Sequence, residues 1–257
     1  MFSVTKRVEM IKQPRSGYLK TGLFVKEEYS DNIILNKNEN IEPQIVGLAV
    51  DYLTRLMSGV PVYESFRICM LGAKKLDKYS CSGIREQEKA KLLLESVTGL
   101  DDVSIINACG LSRYDVCVRA SCKDYKDDTL KPDEYAIENI RNMVNRSLAF
   151  FNREGGITET NITFENAYTD IISSGDADYL TSNGLWDMKV SKNDLNAQQT
   201  LQLLIYYLMG MKSNPQKFEN ISRLGFYNPR KNMSYWIDPS FIPQSVVSIV
   251  AREVIGY

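Results

Sequence analysis

The sequence of 257 residues contains no histidine. Catalytic triads that use a histidine base, and zinc sites built on histidine ligands, are therefore excluded. A strong excess of one charge is also missing, because 31 Lys and Arg residues face 32 Asp and Glu residues. That balance argues against a strongly basic nucleic-acid coat protein. Any chemistry must use carboxylates, lysine, tyrosine, cysteine or a metal held by oxygen.

Long apolar segments are absent as well. The N-terminal residues carry charge throughout, and no run of 18 apolar residues occurs in the chain. The sequence therefore predicts neither a signal peptide nor a membrane span, and we expect a cytoplasmic protein without a membrane partner. Its 44% hydrophobic and 25% charged residues are typical of a globular protein.

The sequence has five cysteines, an odd number, and no two of them have C-x-x-C spacing. We interpret them as small buried hydrophobic residues, with a metal or iron–sulfur role as the alternative. They are Cys69, Cys81, Cys109, Cys117 and Cys122.

The N-terminal half is predicted to be mostly helical. A helix begins at Pro43, continues through apolar residues at helical spacing, and ends at Gly59. Before it, the only predicted element is a strand around 32–35. Further helices are predicted near 62–73, within 84–120 and from about 133 to 152.

After residue 155 the pattern changes to strands. Ser182-Asn183-Gly184 lies between two β-type runs, which predicts a hairpin. An antiparallel meander is predicted at 157–165, 169–180 and 185–191. A helix at 194–211, a strand pair around Asn228-Pro229 and a closing helix follow. The order predicts an α/β fold in a single domain, 1–257, with a mainly helical part, 1–155, and a core, 156–257.

The predicted hairpin places Asp178 and Asp187 on either side of its turn. Because side chains alternate along a strand, Asp187 and Lys189 share one face. Two neighbouring carboxylates repel, and a divalent cation between them relieves that repulsion. With a lysine beside them they suit metal-assisted phosphodiester hydrolysis. The alternative is ordinary cross-strand ion pairing on a solvated face.

Gln202 and Tyr206 follow on the next helix, four residues apart and therefore on one face. They fit either a polar edge of the proposed site or a pair that fixes helix to sheet. Together, Gly175-x-x-Asp178, Asp187-x-Lys189 and Gln202-x-x-x-Tyr206 resemble the RecB-type branch of the PD-(D/E)XK nuclease superfamily.

The resemblance implies a restriction-endonuclease-like core, a central mixed sheet flanked by helices. It implies that Asp178, Asp187 and the Met188 carbonyl bind Mg²⁺ or Mn²⁺, with Lys189 as the catalytic lysine. Gln202 and Tyr206 would support the site or contact DNA. The remaining candidates for site support or DNA binding are Glu165, which matches an acidic residue often found there, and Lys192.

The family also has an upstream G-x-x-x-H helix, whose histidine helps to hold the metal. Here Gly47 is followed by Asp51 at that position, so Asp51 is a candidate ligand for a hard cation. The alternative is that Asp51 pairs with Arg55 one turn later. Asp176 competes with Asp178, because it lies two residues earlier on the same predicted strand.

No cysteine follows Cys122, whereas the family's iron–sulfur cluster needs three after the Gln–Tyr helix, so no such cluster is expected. The sequence also lacks the G-x-x-x-x-G-K-[ST] phosphate-binding loop, so no helicase or ATPase motor is expected within it. We therefore predict a metal-dependent deoxyribonuclease, exonuclease-like, with DNA as partner and a separate helicase or recombination protein or a homo-oligomer as further possibilities. The alternative is a non-catalytic DNA-binding or structural subunit.

Between residues 187 and 237 seven Lys and Arg residues face three acids, which is locally compatible with DNA. Tyr227, Tyr235 and Trp236 lie in this segment. They are candidates for stacking on unpaired bases or, equally, for core packing.

Overall fold

The computed structural model describes residues 1–79, 85–127 and 130–257. The strands of these residues are β1 Phe2–Ser3, β2 Val25–Glu28, β3 Ile157–Ile162, β4 Ile172–Ser174, β5 Ala177–Thr181, β6 Gly184–Met188, β7 Arg223–Asn228 and β8 Met233–Ile237. The helices are α1 Val4–Met10, α2 Pro43–Met57, α3 Val62–Ser65, α4 Arg67–Tyr79, α5 Glu86–Glu95, α6 Asp102–Ser112, α7 Val116–Arg119, α8 Glu134–Arg153, α9 Ala197–Ser213, α10 Pro215–Phe218 and α11 Gln244–Ile249. None of the helices in these described ranges is long and apolar enough to cross a membrane.

The chain divides into two compact units. The sheet unit comprises residues 1–30 and 149–257, and the helical unit comprises residues 31–148. The first 30 residues therefore belong with the C-terminal part of the chain, on which they pack through contacts described below.

The sheet unit is built on a mixed sheet of six strands in the order β2-β8-β7-β6-β5-β3. Strands β6 and β7 run parallel, and every other neighbouring pair in this sheet is antiparallel. The predicted α/β class with a central mixed sheet is confirmed at this level.

The predicted meander is present, because β3 pairs with β5 and β5 with β6. Its middle strand is shorter than predicted, since 169–180 splits at Gly175-Asp176. The first piece, β4, leaves the sheet and pairs in parallel with β1. This pairing joins residues about 170 positions apart, which no local pattern reveals.

The predicted strand at 32–35 is wrong, because those residues form no strand. The N-terminal strand of the main sheet is instead β2, at its edge, where Val25 pairs with Trp236. Its side chains are largely exposed, so β2 lacks the buried apolar alternation that identifies a strand from sequence.

The two faces of the sheet have different partners. Leu185 of β6 and Leu224 of β7 are buried with α9 in one hydrophobic cluster. On the opposite face, Phe150 at the end of α8 packs edge-on against Trp186 and stacks on Tyr227, with ring centroids 4.8 and 4.0 Å apart. Asp187 alternates with Trp186 and therefore faces α9.

Helix α9 begins at a capping box. The Asn196 side chain accepts hydrogen bonds from the first-turn amides, and the Gln199 side chain accepts from the Asn196 amide. Its apolar residues at helical spacing, such as Leu201, Leu204 and Ile205, are buried. These local signals explain why the predicted helix at 194–211 agrees closely with α9.

The helical unit contains the predicted helix at Pro43, which is α2 and ends at Met57, just before Gly59. The predicted helix near 62–73 is interrupted at Phe66, between α3 and α4. The prediction of buried cysteines is confirmed for the four described ones, whereas Cys81 lies outside the described residues. The four are Cys69, Cys109, Cys117 and Cys122.

Candidate active site

The hairpin of β5 and β6 sets two carboxylates side by side. Tyr179 pairs with Trp186 in this antiparallel ladder, so the same register extended by one residue places Asp178 opposite Asp187. Opposed residues in an antiparallel pair point to the same face. Asp187 is 4% exposed, and Asp178 is half-buried.

Lys189 follows β6 and lies beside Asp187. Its backbone amide donates to the Tyr227 carbonyl at 2.9 Å, which continues the pairing with β7 beyond the end of β6. Its Nζ lies 2.6 Å from Oδ2 of Asp187. The two side chains thus share a face, and the ammonium compensates a carboxylate that is almost fully buried.

Tyr206 of α9 lies close to the carboxylates. Its side chain is 4% exposed, and burial is the main cause that raises its pKa. The negative charges of Asp176, Asp187 and Asp178 raise that pKa further. Three carboxylates therefore act on one hydroxyl.

Gln202 links this hydroxyl to the N-terminal helix. Its Nε2 donates to Tyr206 Oη at 3.0 Å and to Thr5 Oγ1 at 3.3 Å. The predicted pairing of Gln202 and Tyr206 on one helix face is confirmed. Thr5 was not predicted, because its contact joins residues 197 positions apart.

Gly175 brings the chain close to both α1 and Tyr206. A Cβ at this position would lie 2.6 Å from Val4 Cγ2 and 3.3 Å from Tyr206 Cε1. The Gly175 carbonyl accepts a hydrogen bond from the Tyr168 hydroxyl at 3.1 Å. The first glycine of the motif therefore allows close packing next to the acidic group.

The donors available to a metal are oxygen atoms. The Asp178 and Asp187 carboxylates, with the Met188 carbonyl, are of the type that Mg²⁺ and Mn²⁺ prefer. The Met188 amide donates to Asp178 Oδ2 at 3.0 Å, which ties this segment to β5. In the described ranges no three His, Cys, Asp or Glu side chains form a preformed metal cage. The set fits Mg²⁺, which usually keeps several waters.

Asp51 lies in the helical unit. Its carboxylate accepts two hydrogen bonds from Arg55, 3.2 Å from Nε and 2.6 Å from Nη2. The ion pair that the sequence left open as an alternative therefore exists, and Arg55 is only 1% exposed. A role for Asp51 in metal binding stays a prediction.

Glu165 and Lys192 lie at the periphery. Glu165 is exposed in the loop after β3, and its carbonyl accepts from Ser213 at the C-terminal end of α9. Lys192 is exposed on the loop between β6 and α9. Among the described residues, the Glu165 carboxylate accepts a hydrogen bond from Thr163 Oγ1 at 3.4 Å and is not bonded to Asp187. The role of Lys192 stays a prediction.

The aromatic residues of β7 and β8 are mainly structural. Tyr227 is fully buried and donates to Asn232 Oδ1 at 2.8 Å, so it is a core residue and cannot stack on a base. Trp236 donates to Glu27 Oε1 at 3.1 Å, and the Arg223 guanidinium lies over its ring. Of the three candidate stacking residues, Tyr235 lines the small cleft next to Lys189, together with Phe226 and Gln199.

No protein-family model, curated protein or solved structure matches this chain.

Proposed function

We propose that this protein is a metal-dependent nuclease that hydrolyses phosphodiester bonds in DNA, on a restriction-endonuclease-like core. One observation carries the proposal: Asp178 and Asp187 lie opposite each other on one sheet face, with the Lys189 ammonium beside Asp187. The mixed sheet and the order of its motifs agree with the RecB-type branch. An exonuclease-like activity on DNA is the form that the resemblance favours.

Each side chain has a distinct task in this proposal. Asp178, Asp187 and the Met188 carbonyl would hold Mg²⁺ or Mn²⁺, which polarises a phosphoryl oxygen and lowers the pKa of bound water. Lys189 places a positive charge where negative charge develops on the phosphate. Gln202 holds the Tyr206 hydroxyl beside the carboxylates, so that the polar edge keeps its shape before substrate arrives.

The test is cleavage of a linear duplex and of a closed circular plasmid in Mg²⁺ or Mn²⁺. Asp187→Asn and Lys189→Met should each lose at least about 100-fold in rate, because each removes a group that acts on the developing charge. Asp170→Asn is the matched control, since Asp170 is exposed outside the motif. Degradation of linear DNA alone would indicate an exonuclease. Equal rates in wild type and both site variants would contradict the proposal.

A non-catalytic DNA-binding or structural subunit is the second candidate. It is favoured by the direct contact of Lys189 Nζ with Asp187 Oδ2 at 2.6 Å, because an ion pair of this kind also occurs on a sheet face with a purely structural role. This alternative predicts DNA binding without cleavage and no heat of Mn²⁺ binding in calorimetry. Mn²⁺ binding that is weakened by Asp178→Asn would exclude it.

A further inference from the structure

Residues 11–26 contain four basic residues and no acid. They are Lys12, Arg15, Lys20 and Lys26. The segment belongs to the sheet unit and connects α1 with the edge strand β2. Its position relative to the proposed active site is fixed by contacts with α9.

Three hydrogen bonds fix this segment. Gln13 Nε2 donates to the Ala197 carbonyl at 3.1 Å, and Thr200 Oγ1 donates to the Leu19 carbonyl at 2.6 Å. The Tyr18 amide donates to Gln13 Oε1 at 3.3 Å, which closes a turn. The turn contains Gly17, where a Cβ would lie only 2.7 Å from the Ala197 Cβ. The segment is therefore packed closely on the first turn of α9.

The same helix carries Tyr206, which faces the carboxylates. With a rise of 1.5 Å per residue, Thr200 and Ala197 lie about 9 and 13 Å from Tyr206 along the helix axis. A nucleic-acid strand advances about 3.4 Å per nucleotide in a duplex. Measured along the axis of α9, the points where the basic segment contacts the helix are thus about three to four nucleotide spacings from Tyr206.

Lys12, Arg15 and Lys20 are exposed, and their side chains make no ion pair or hydrogen bond with any part of the chain that the structure describes. Other exposed cations of the sheet unit behave differently. Lys6 pairs with Glu9 at 3.0 Å, and Lys26 pairs with Glu28 at 2.9 Å. Glu9 is thus engaged by Lys6 and Glu28 by Lys26, and the three positive charges within residues 12–20 have no compensating acid among the described residues.

We propose that Lys12, Arg15 and Lys20 form a phosphate-binding surface for the backbone of a nucleic-acid substrate. This inference rests on the proposed function, because a nucleic acid bound for cleavage at the carboxylates would continue along α9 to this segment. Exposed like charges on one short segment, without partners among the described residues, create a positive potential that attracts a polyanion. The contacts would be independent of base sequence, since they reach phosphate and not base edges.

The test measures binding of a fluorescein-labelled oligonucleotide, as DNA and as RNA, by anisotropy in EDTA. The salt concentration is varied between about 50 and 200 mM. The variant Lys12→Gln/Arg15→Gln/Lys20→Gln is compared with wild type and with the control Lys74→Gln/Lys78→Gln/Lys123→Gln. The control removes three exposed lysines of the helical unit, which likewise have no partner among the described residues. Circular dichroism confirms that both variants fold.

The slope of log affinity against log salt should fall in magnitude by about 2 in the N-terminal variant, since each phosphate contact contributes about 0.7 on a single strand. The control should keep the wild-type slope. Equal slopes in all three proteins would overturn the inference. So would the absence of oligonucleotide binding by wild type, including the case in which it binds vesicles containing phosphatidylserine instead.

The two proposals fail in different ways. A slope difference without DNA cleavage would contradict the nuclease and leave the phosphate-binding surface in place. Cleavage that depends on Asp187, with equal slopes, would leave the nuclease in place and remove the surface. Comparison of the DNA and RNA probes then shows which nucleic acid the surface prefers.

Discussion

The ammonium of Lys189 lies 2.6 Å from the carboxylate of Asp187, whose side chain is 5% exposed against 29% for the lysine. The pair follows from the strand period, because residues two positions apart share a face. Loss of the ion pair costs more for the buried carboxylate than for the lysine, because the partly exposed lysine can be hydrated instead.

Lys189→Met should therefore destabilise the protein, although it replaces a polar side chain by an apolar one. We expect the free energy of unfolding in urea to fall by about 1–3 kcal/mol, the cost of removing a charged partner from a buried carboxylate. Asp187→Asn combined with Lys189→Met should recover part of this loss. Lys12→Met is the control and should change stability by less than about 0.5 kcal/mol. A double variant less stable than Lys189→Met would contradict this account.

The hairpin and α9 could be predicted because their signals are local. Asn183-Gly184 between two β-type runs predicts the turn, and the spacing of Gln202 and Tyr206 predicts their shared face. The placement of Asp178 next to Asp187 followed from that turn alone, so the central part of the candidate site was accessible from sequence.

The N-terminal part of the site could not be predicted in this way. Phe2 pairs with Ile172, Val25 pairs with Trp236, and Thr5 bonds to Gln202, so each contact joins distant parts of the chain. Two-residue and exposed strands carry too few alternating positions to show a period. The place of segment 11–26 on α9 likewise depends on contacts of Gln13 and Leu19 with residues more than 180 positions away.

Tyr206 should make stability depend on pH in the alkaline range. Because burial and three carboxylates raise its pKa above the ordinary value of 10.0, the hydroxyl keeps its proton in the folded protein when the unfolded chain loses it. This contribution is fully present below pH 10 and is lost as pH rises from there towards the folded-state pKa.

Tyr206→Phe removes that titration. The wild-type free energy of unfolding should fall above pH 10 more steeply than that of the variant, by up to about 1.4 kcal/mol per pH unit. Urea unfolding at several pH values between about 9 and 11 measures the difference. Tyr135→Phe, at a half-exposed tyrosine of α8, should keep the wild-type slope. Parallel curves for wild type and Tyr206→Phe would refute the assignment.

Gly175→Ala tests the close packing of the motif glycine. The new methyl group would lie 2.6 Å from Val4 Cγ2, so α1 or the Gly175 segment must move. We expect a loss of about 1–3 kcal/mol in unfolding free energy, which is the usual cost of overpacking. Val4→Ala in the same protein should reduce the cost, because it removes the clashing methyl groups. Strictly additive losses in the double variant would show that the two residues do not compete for space.

Asp51→Ala separates a structural role of this residue from a metal-binding one. Arg55 is 1% exposed and donates two hydrogen bonds to the Asp51 carboxylate. We therefore expect Asp51→Ala to lower the free energy of unfolding by about 1–3 kcal/mol. Asp51→Asn retains one acceptor oxygen and should lose less. Unchanged stability in Asp51→Ala would contradict the importance of the ion pair. Mn²⁺ calorimetry on the folded Asp51→Asn variant tests the metal-binding role. If Asp51 is a metal ligand, replacing its carboxylate by an amide should weaken Mn²⁺ affinity. If Asp51 only pairs with Arg55, the Mn²⁺ affinity should keep its wild-type value.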